Sequence, residues 1–380
     1  MGKWEEVSFE EVVDNFDGKR IPIKASERKN SEGGKYPYYG ASGIIDYVDE
    51  FIFEGEHLLI SEDGANLLAR VYPIAFKADG KFWVNNHAHI VKAKEEKTTN
   101  DYLEYYFSSI DISEYVTGSA QPKLNQKKLN SIRIPLPPLP EQQRIVTKLD
   151  GLFAKIDKTI SLLEANLTHT QDLMGSVLDE EFGKLNCKSY LLKKISDKIQ
   201  YGYTGKTKEK GKYYYLRITD IQDGQVDFEK APFSDISNEV APKYILNQGD
   251  VLFARTGATA GKSYLFNDKE PSIFASYLIR VVVKQDILSP NYLKWYFQSD
   301  EYWSQIFGNI VGAAQPNFNG KKLGELNIPV PSLEIQNKCV LNFEEYDKVI
   351  RSSIETQTQK LNHLKALKSS LLDQAFKGEL

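Results

Sequence analysis

Residues 256–263 read Thr-Gly-Ala-Thr-Ala-Gly-Lys-Ser, the composition of a loop that wraps phosphates in backbone N–H groups. Such a loop needs four residues between its glycines, and only three separate Gly257 from Gly261. The expected reading is a turn presenting Arg255, Thr256, Thr259 and Lys262; a nucleotide-using enzyme is its rival. His87 and His89 stand two apart, which places both on one face of a strand, but no cysteine cluster or HExxH pattern joins them. Polar histidines are expected there, and no metal. No Asn-Pro-Pro-Tyr or Asp-Pro-Pro-Tyr sequence occurs, the pocket with which amino-methyltransferases hold a flipped base. A nuclease-like pairing of carboxylates with a lysine is also missing. The expectation is a chain without catalytic residues.

What organises the sequence is a repeat. The proline-rich run 134–140 and the stretch after it return from Ile328 at a constant offset of 194, which joins Gln121 to Gln315, Pro135 to Pro329, His169 to His363 and Phe182 to Phe376. Each copy reads as one long helix. Apolar residues fall three or four apart at Ile145, Leu149, Leu152, Ile156 and Ile160 in the first, and at Phe343, Tyr346, Ile350 and Ile354 in the second. That spacing makes a narrow seam that seeks a partner helix. Pro140 suits a first turn and Glu141 the positive helix end. The span 141–182 predicts a helix roughly 60 Å long, and two such helices are expected to pack antiparallel. Ile335 replaces Glu141 in the second copy, which predicts weaker capping there. His169 and His363 are expected on the surface. The run 134–140 has the look of an SH3 ligand, but its return before the second helix favours a rigid lead-in.

A chain of 380 residues with 26% charged residues has room for two or three domains of soluble type. No apolar run reaches membrane-spanning length, and the first residues lack a signal-peptide core. Cys187 and Cys339 are too few for a disulfide framework, so a cytoplasmic location is expected. The net charge of −4 is unevenly spread: residues 1–117 carry 13 basic and 22 acidic groups, and residues 187–311 carry 17 and 14. Contact with nucleic acid must therefore come from local clusters.

Before each helix stands a head. In the first, 4–15 predicts a short amphipathic helix with a serine cap, 33–45 is dense in turn formers and tyrosines, and strands are predicted over 57–60, 70–76 and 89–94. Polar loops 61–66 and 85–89 lie between strands, and 102–108 predicts a helix. The second head follows loosely: 191–199 parallels 4–12, 249–254 parallels 55–60, and 292–297 parallels 102–107. The helices copy closely and the heads poorly.

With this order, the chain resembles the specificity subunit of a type I restriction–modification enzyme over essentially its full length. The residues that carry the resemblance are 118–128 with the proline-rich run and Glu141-Gln142, their copy from Gly312, the stretches 249–262 and 217–221, and 36–43. The resemblance implies an α+β chain of two α/β target-recognition domains, 1–130 and 187–324, alternating with helical spacers, 131–186 and 325–380, in a pseudo-twofold antiparallel coiled coil. Each domain would read one half of a bipartite duplex target. The helices would set the gap and dock two methyltransferase subunits, with restriction subunits as further partners. S-adenosylmethionine would bind the methyltransferase, ATP and Mg a restriction subunit, and this chain no cofactor. The alternative is a coiled-coil scaffold that bridges proteins without reading DNA.

For DNA, lysines Lys206, Lys208, Lys210 and Lys212 suit phosphates, and Arg70, Arg217 and Arg255 suit guanine. Asn66, Asn85 and Asn86 suit adenine. Tyr36, Tyr38 and Tyr39 suit sugar or phosphate, or the core. Lys35, Ser42, His87 and Thr219 complete the expected contacts. Gln121-Pro122 and Gln315-Pro316 are expected as elbows or as partner contacts, and Gln142 and Gln336 as partner contacts.

Overall fold

The computed structural model describes residues 4–28, 34–118, 120–222, 224–256, 259–308 and 318–380. Gln315, Pro316, Gly257 and Ala258 lie outside them. Two helices, Leu139–Gly183 and Leu333–Lys377, have 45 residues each, roughly 67 Å at 1.5 Å per residue. The chain forms two compact units, Met1–Glu164 with Gln359–Leu380, and Ala165–Thr358. Each unit holds one head and a part of both helices. Among the described residues no helix is long and apolar enough to cross a membrane.

Within each unit the helices run antiparallel. In the first unit Lys368 Nζ meets Asp157 at 2.7 Å, and Lys365 faces Glu164 at 3.9 Å. In the second, Gln357 Nε2 donates to the Thr170 hydroxyl at 3.0 Å, and Phe343 packs on Phe182 with ring centroids 5.4 Å apart. In both units one residue number rises as its partner's falls. Exposed ion pairs contribute little; burial of Ile145, Leu149, Leu372 and Ala375 in one unit, and of Leu178, Phe182, Val340 and Phe343 in the other, holds the pairs together. Tyr346 departs from the expected seam. The buried line runs through Phe343 and Ile350, and Tyr346 falls beside it, 45% exposed. His169 and His363 are both exposed.

The two heads share the plan of their first sheet. In the first, an antiparallel sheet runs Val13–Asn15, Ala88–Ala93, His57–Ser61, Ala75–Ala78. In the second, its counterpart runs Ser196–Tyr201, Leu278–Val283, Asp250–Ala254, Ser263–Phe266. Each head adds a second four-stranded sheet with one parallel pair, Tyr36–Gly40 with Lys81–Val84 and Tyr214–Leu216 with Ser272–Phe274. A helix after the first sheet, Asn100–Ser109 or Pro290–Tyr296, packs head on long helix. Tyr102 and Tyr292 donate their hydroxyls to Pro135 O and Pro329 O at 2.7 and 2.9 Å. Phe376 meets the rings of Tyr102 and Tyr106, with centroids 5.3 and 5.2 Å away, and Phe182 those of Tyr292 and Tyr296 at 5.5 and 5.3 Å.

Three local expectations are corrected. Residues 4–15 form strand Glu6–Ser8, a 3-10 turn Phe9–Glu11 and strand Val13–Asn15, not a helix. Strand Glu6–Ser8 pairs with Arg133–Pro135, and this distant partner overrides the helical pattern. The copy does the same, with Ser189–Leu191 paired to Asn327–Pro329. Residues 70–76 are not a strand: a helical turn Asn66–Ala69 ends at Arg70 with φ 52, Asn66 brackets the Tyr72 backbone through its side-chain amide, and the strand starts at Ala75. The second long helix does gain a cap that the first lacks, because the Ser332 hydroxyl accepts from Ile335 N at 3.4 Å.

Gln142 and Gln336 are not partner contacts. Both are fully buried. Gln142 Nε2 donates to Lys97 O and Pro137 O, each at 2.9 Å, while its Oε1 accepts from the Thr98 hydroxyl at 2.8 Å. Gln336 Nε2 donates to Ile287 O and Pro331 O, each at 2.9 Å, and its Oε1 accepts from Ser289 N at 2.8 Å. Each amide staples the last strand–helix connection of its head to the proline-rich lead-in. Gln142→Ala or Gln336→Ala strands buried polar groups at a cost of about 2–3 kcal/mol each. The double variant is expected to lose nearly the sum in chemical denaturation, since the staples share no partners; a double variant no weaker than either single one contradicts this.

Candidate nucleic-acid interface

At one end of the first sheet of the second head, strand Ser196–Tyr201 ends and Asp250–Ala254 hands on to Arg255. The Arg255 guanidinium lies 4.9 Å from the Tyr201 ring centroid. Its Nε is buried without a hydrogen-bond partner, and among the described residues its side chain makes no hydrogen bond. Its backbone N donates to Tyr277 O at 3.1 Å, and Tyr277 is 64% exposed. Gly320 N in turn donates to the Tyr201 hydroxyl at 2.8 Å, fixing the ring under the guanidinium. A cation stacked on an aromatic face with its outer donors unspent is ready to pair bidentately with a planar acceptor. Neither Tyr201 nor Tyr277 is picked out by the sequence, where each is one tyrosine of 22.

Thr256 and Thr259 are half-buried beside Arg255, and Lys262 is exposed. Gly261 N donates to Ala254 O at 2.9 Å and Lys262 N to Thr259 O at 3.0 Å, so amides that a phosphate loop would aim at a nucleotide are already used. Lys206, Lys208, Lys210 and Lys212 are all exposed on the second sheet's edge, Lys212 Nζ lying 3.4 Å from Asn238 Oδ1. Arg217 is a different case. Its Nε and Nη2 hold the two oxygens of Asp220 at 3.0 and 2.7 Å, so the fork expected for guanine is filled from within. Thr219 is exposed in the same turn.

The corresponding end of the first head joins the two polar loops. Glu62 N donates to His87 O at 2.9 Å, and His87 Nδ1 meets Asp63 Oδ2 at 2.8 Å. Asn86 and Ser42 are exposed here, and Lys35 is exposed on the hairpin. Four expected contacts are instead structural. Tyr38 is buried and accepts from Ile23 N at 3.0 Å; Asn85 is buried and accepts from His87 N at 2.8 Å. Arg70 spends its guanidinium on Phe107 O and Ile110 O at 2.8 and 2.6 Å, which holds its left-handed backbone, and Asn66 is occupied by Tyr72. Tyr36 and Tyr39 are half-buried against Phe51 and Phe82. Pro122 O accepts from Gly64 N at 3.0 Å, the elbow geometry, while the Gln121 side chain is exposed.

The family described as type I restriction modification DNA specificity domain matches residues 1–165 and 186–365. The chain belongs to this family. It is 30% identical, over 91% of its length and 88% of the relative's, to a putative type I restriction enzyme specificity subunit of Haemophilus influenzae. Two solved chains share the fold. One, from a study of complex assembly and conformational transition in the type I R-M system, aligns over 100% of this chain and 98% of its own, with TM-score 0.75 and 19% identity. The other, the HsdS subunit of Thermoanaerobacter tengcongensis, covers 99% and 97%, with TM-score 0.60 and 18% identity.

The first head carries an ionic knot of which the sequence shows no sign. Arg20 Nη1 donates to Glu62 at 2.6 Å and to Ala88 O at 2.7 Å, and Lys123 Nζ reaches Glu62 at 3.2 Å. His89, 1% exposed, lies between Asp17 at 2.6 Å and Leu124 O at 2.7 Å; a carbonyl only accepts, so Nε2 carries a hydrogen. Burial pushes the Asp17 and Glu62 carboxyls up, but the hydrogen bonds and charges around them, led by the hydrogen bond with His89 at Asp17 and that with Arg20 at Glu62, together outweigh it, and both lie below their ordinary values. Depressed carboxyls stabilise the fold at neutral pH, and that stability is lost as pH falls through their folded pKa. The melting temperature is therefore expected to drop from roughly pH 5 toward pH 3, with Arg20→Gln flattening the drop. An acid profile unchanged in Arg20→Gln contradicts this account.

Proposed function

We propose that this chain is the non-catalytic DNA-reading subunit of a type I restriction–modification enzyme. Each head addresses one half of a bipartite duplex, and the paired helices set the unread gap and dock two methyltransferase subunits. The observation that carries this is the repeat in three dimensions. One frame of lead-in strand, glutamine staple and helix end recurs at the 194-residue offset, and it carries two heads whose first sheets share one strand order and whose reading ends carry different side chains. A frame kept while its heads diverge suits two different sequences read with one fixed geometry. S-adenosylmethionine belongs on the methyltransferase partner, and ATP with Mg on a restriction partner.

The test is base-resolution methylation mapping in cells that express the chain with its cognate methyltransferase subunit. A two-part motif with a fixed gap, absent without this chain, is the expected result. A motif indifferent to the chain moves the protein-bridging scaffold to first place. Adding four residues to both long helices, about 6 Å of rise, is expected to change the gap and leave the half-sites as they were. Altered half-sites with an unaltered gap would remove the helices from the measurement.

A further inference from the structure

The two copies inside one chain allow a comparison between positions with the same job. From Leu124 to Gln142, and from Phe318 to Gln336, most residues kept at the 194 offset have a visible structural role. Asn125 and Asn319 each cap a short helix, accepting from Lys128 N and Lys322 N at 3.0 and 2.9 Å. Leu129 and Leu323, and Ile134 and Ile328, are buried. Pro135 and Pro329 receive the tyrosine hydroxyls, and the glutamines are the staples. The cations Lys127 and Lys321 are also kept, followed by Lys128 and Lys322. The side chains of Lys127 and Lys321 are exposed, and among the described residues neither makes a hydrogen bond or an ion pair.

Their place in the fold says what they face. Each lysine follows a residue whose N–H bonds to the reading end of its own head: Leu124 N donates to Glu62 O, and Phe318 N to Arg255 O, both at 2.8 Å. The second helix begins at Gly320, whose N–H holds the Tyr201 ring under Arg255. So a fixed positive charge stands beside a variable surface, in the same position in both heads. A lysine is a mobile point charge that binds phosphate without regard to base, and phosphate contacts fix the register in which other groups meet base edges.

From this, and on the reading of the chain as a DNA recognition subunit, we propose that Lys127 and Lys321 are equivalent, sequence-independent contacts to the DNA backbone, one at each half-site. They hold the phosphates in the same place on both heads, while Arg255 on Tyr201 and the loops at 61–66 and 85–89 read what lies between. The position matters most in the first head, whose residues 1–117 are strongly acidic and offer the duplex little other attraction.

The experiment uses the complex assembled with its methyltransferase subunits, a duplex carrying the mapped motif, and an unrelated duplex. Lys127→Gln and Lys321→Gln are expected to lower the slope of log affinity against log salt by about 0.9 each. Both duplexes weaken by the same factor, the methylated motif stays unchanged, and Lys→Arg at either position restores the slope. Arg255→Ala is the contrast: it relaxes one position of one half-site. Slopes equal to wild type in both glutamine variants overturn the proposal, as does a loss of affinity that follows a loss of bound methyltransferase subunit in native mass spectrometry. Failure of the underlying reading looks different, since the wild-type complex would then have no chain-dependent motif.

Discussion

The structure depends on a buried amide at the start of each long helix. A proline-rich segment supplies carbonyls but few N–H groups, so bringing it into the core leaves acceptors that need donors. Gln142 and Gln336 provide them and at the same time take a hydroxyl or backbone N–H from the head. The strand before each segment is paired, the staple follows within a turn, and the helix then has a fixed direction relative to its head. Burial of aromatic rings does the rest, with Phe376 and Phe182 set against tyrosine pairs whose hydroxyls are already spent on the lead-in strand. Each contact makes the next one possible, which is the cooperativity expected of a joint that must not bend.

Around this joint the heads divide their work differently. The second presents a stacked arginine and exposed lysines, and spends Arg217 on Asp220. The first gathers opposite charges into a buried knot and presents neutral polar groups at its corresponding end, among them Asn86 and Ser42, with His87 turned toward Asp63. Its strongly acidic composition is therefore partly internal, with Asp17 and Glu62 already paired. The two heads thus place surfaces of different chemistry on first sheets of one strand order.

The sequence disclosed the frame because a constant offset needs no knowledge of contacts. It also disclosed the strands at 57–60 and 89–94 and the helix at 102–108, where the pattern is local. It misread 4–15, since the strand that pairs with it lies more than 120 residues away. It placed Gln142 and Gln336 on the surface because repetition shows that a residue matters, not which way it faces. Among arginines, type alone could not separate Arg255, left open on a tyrosine, from Arg70 and Arg217, whose forks are filled by carbonyls and by a carboxylate. The lysines at 127 and 321 were visible all along as a repeated pair; only the structure shows that their neighbours' roles are accounted for.

The second unit is one continuous run, Ala165–Thr358, while the first closes only with Gln359–Leu380. Leu372, Ala375 and Phe376 belong to the same core as Phe9 and Tyr102. During synthesis the first head thus leaves the ribosome with an unfinished core and waits through the making of the whole second unit. Nascent chains cut short before those last turns carry an open apolar surface, and this marks them for chaperones and proteases.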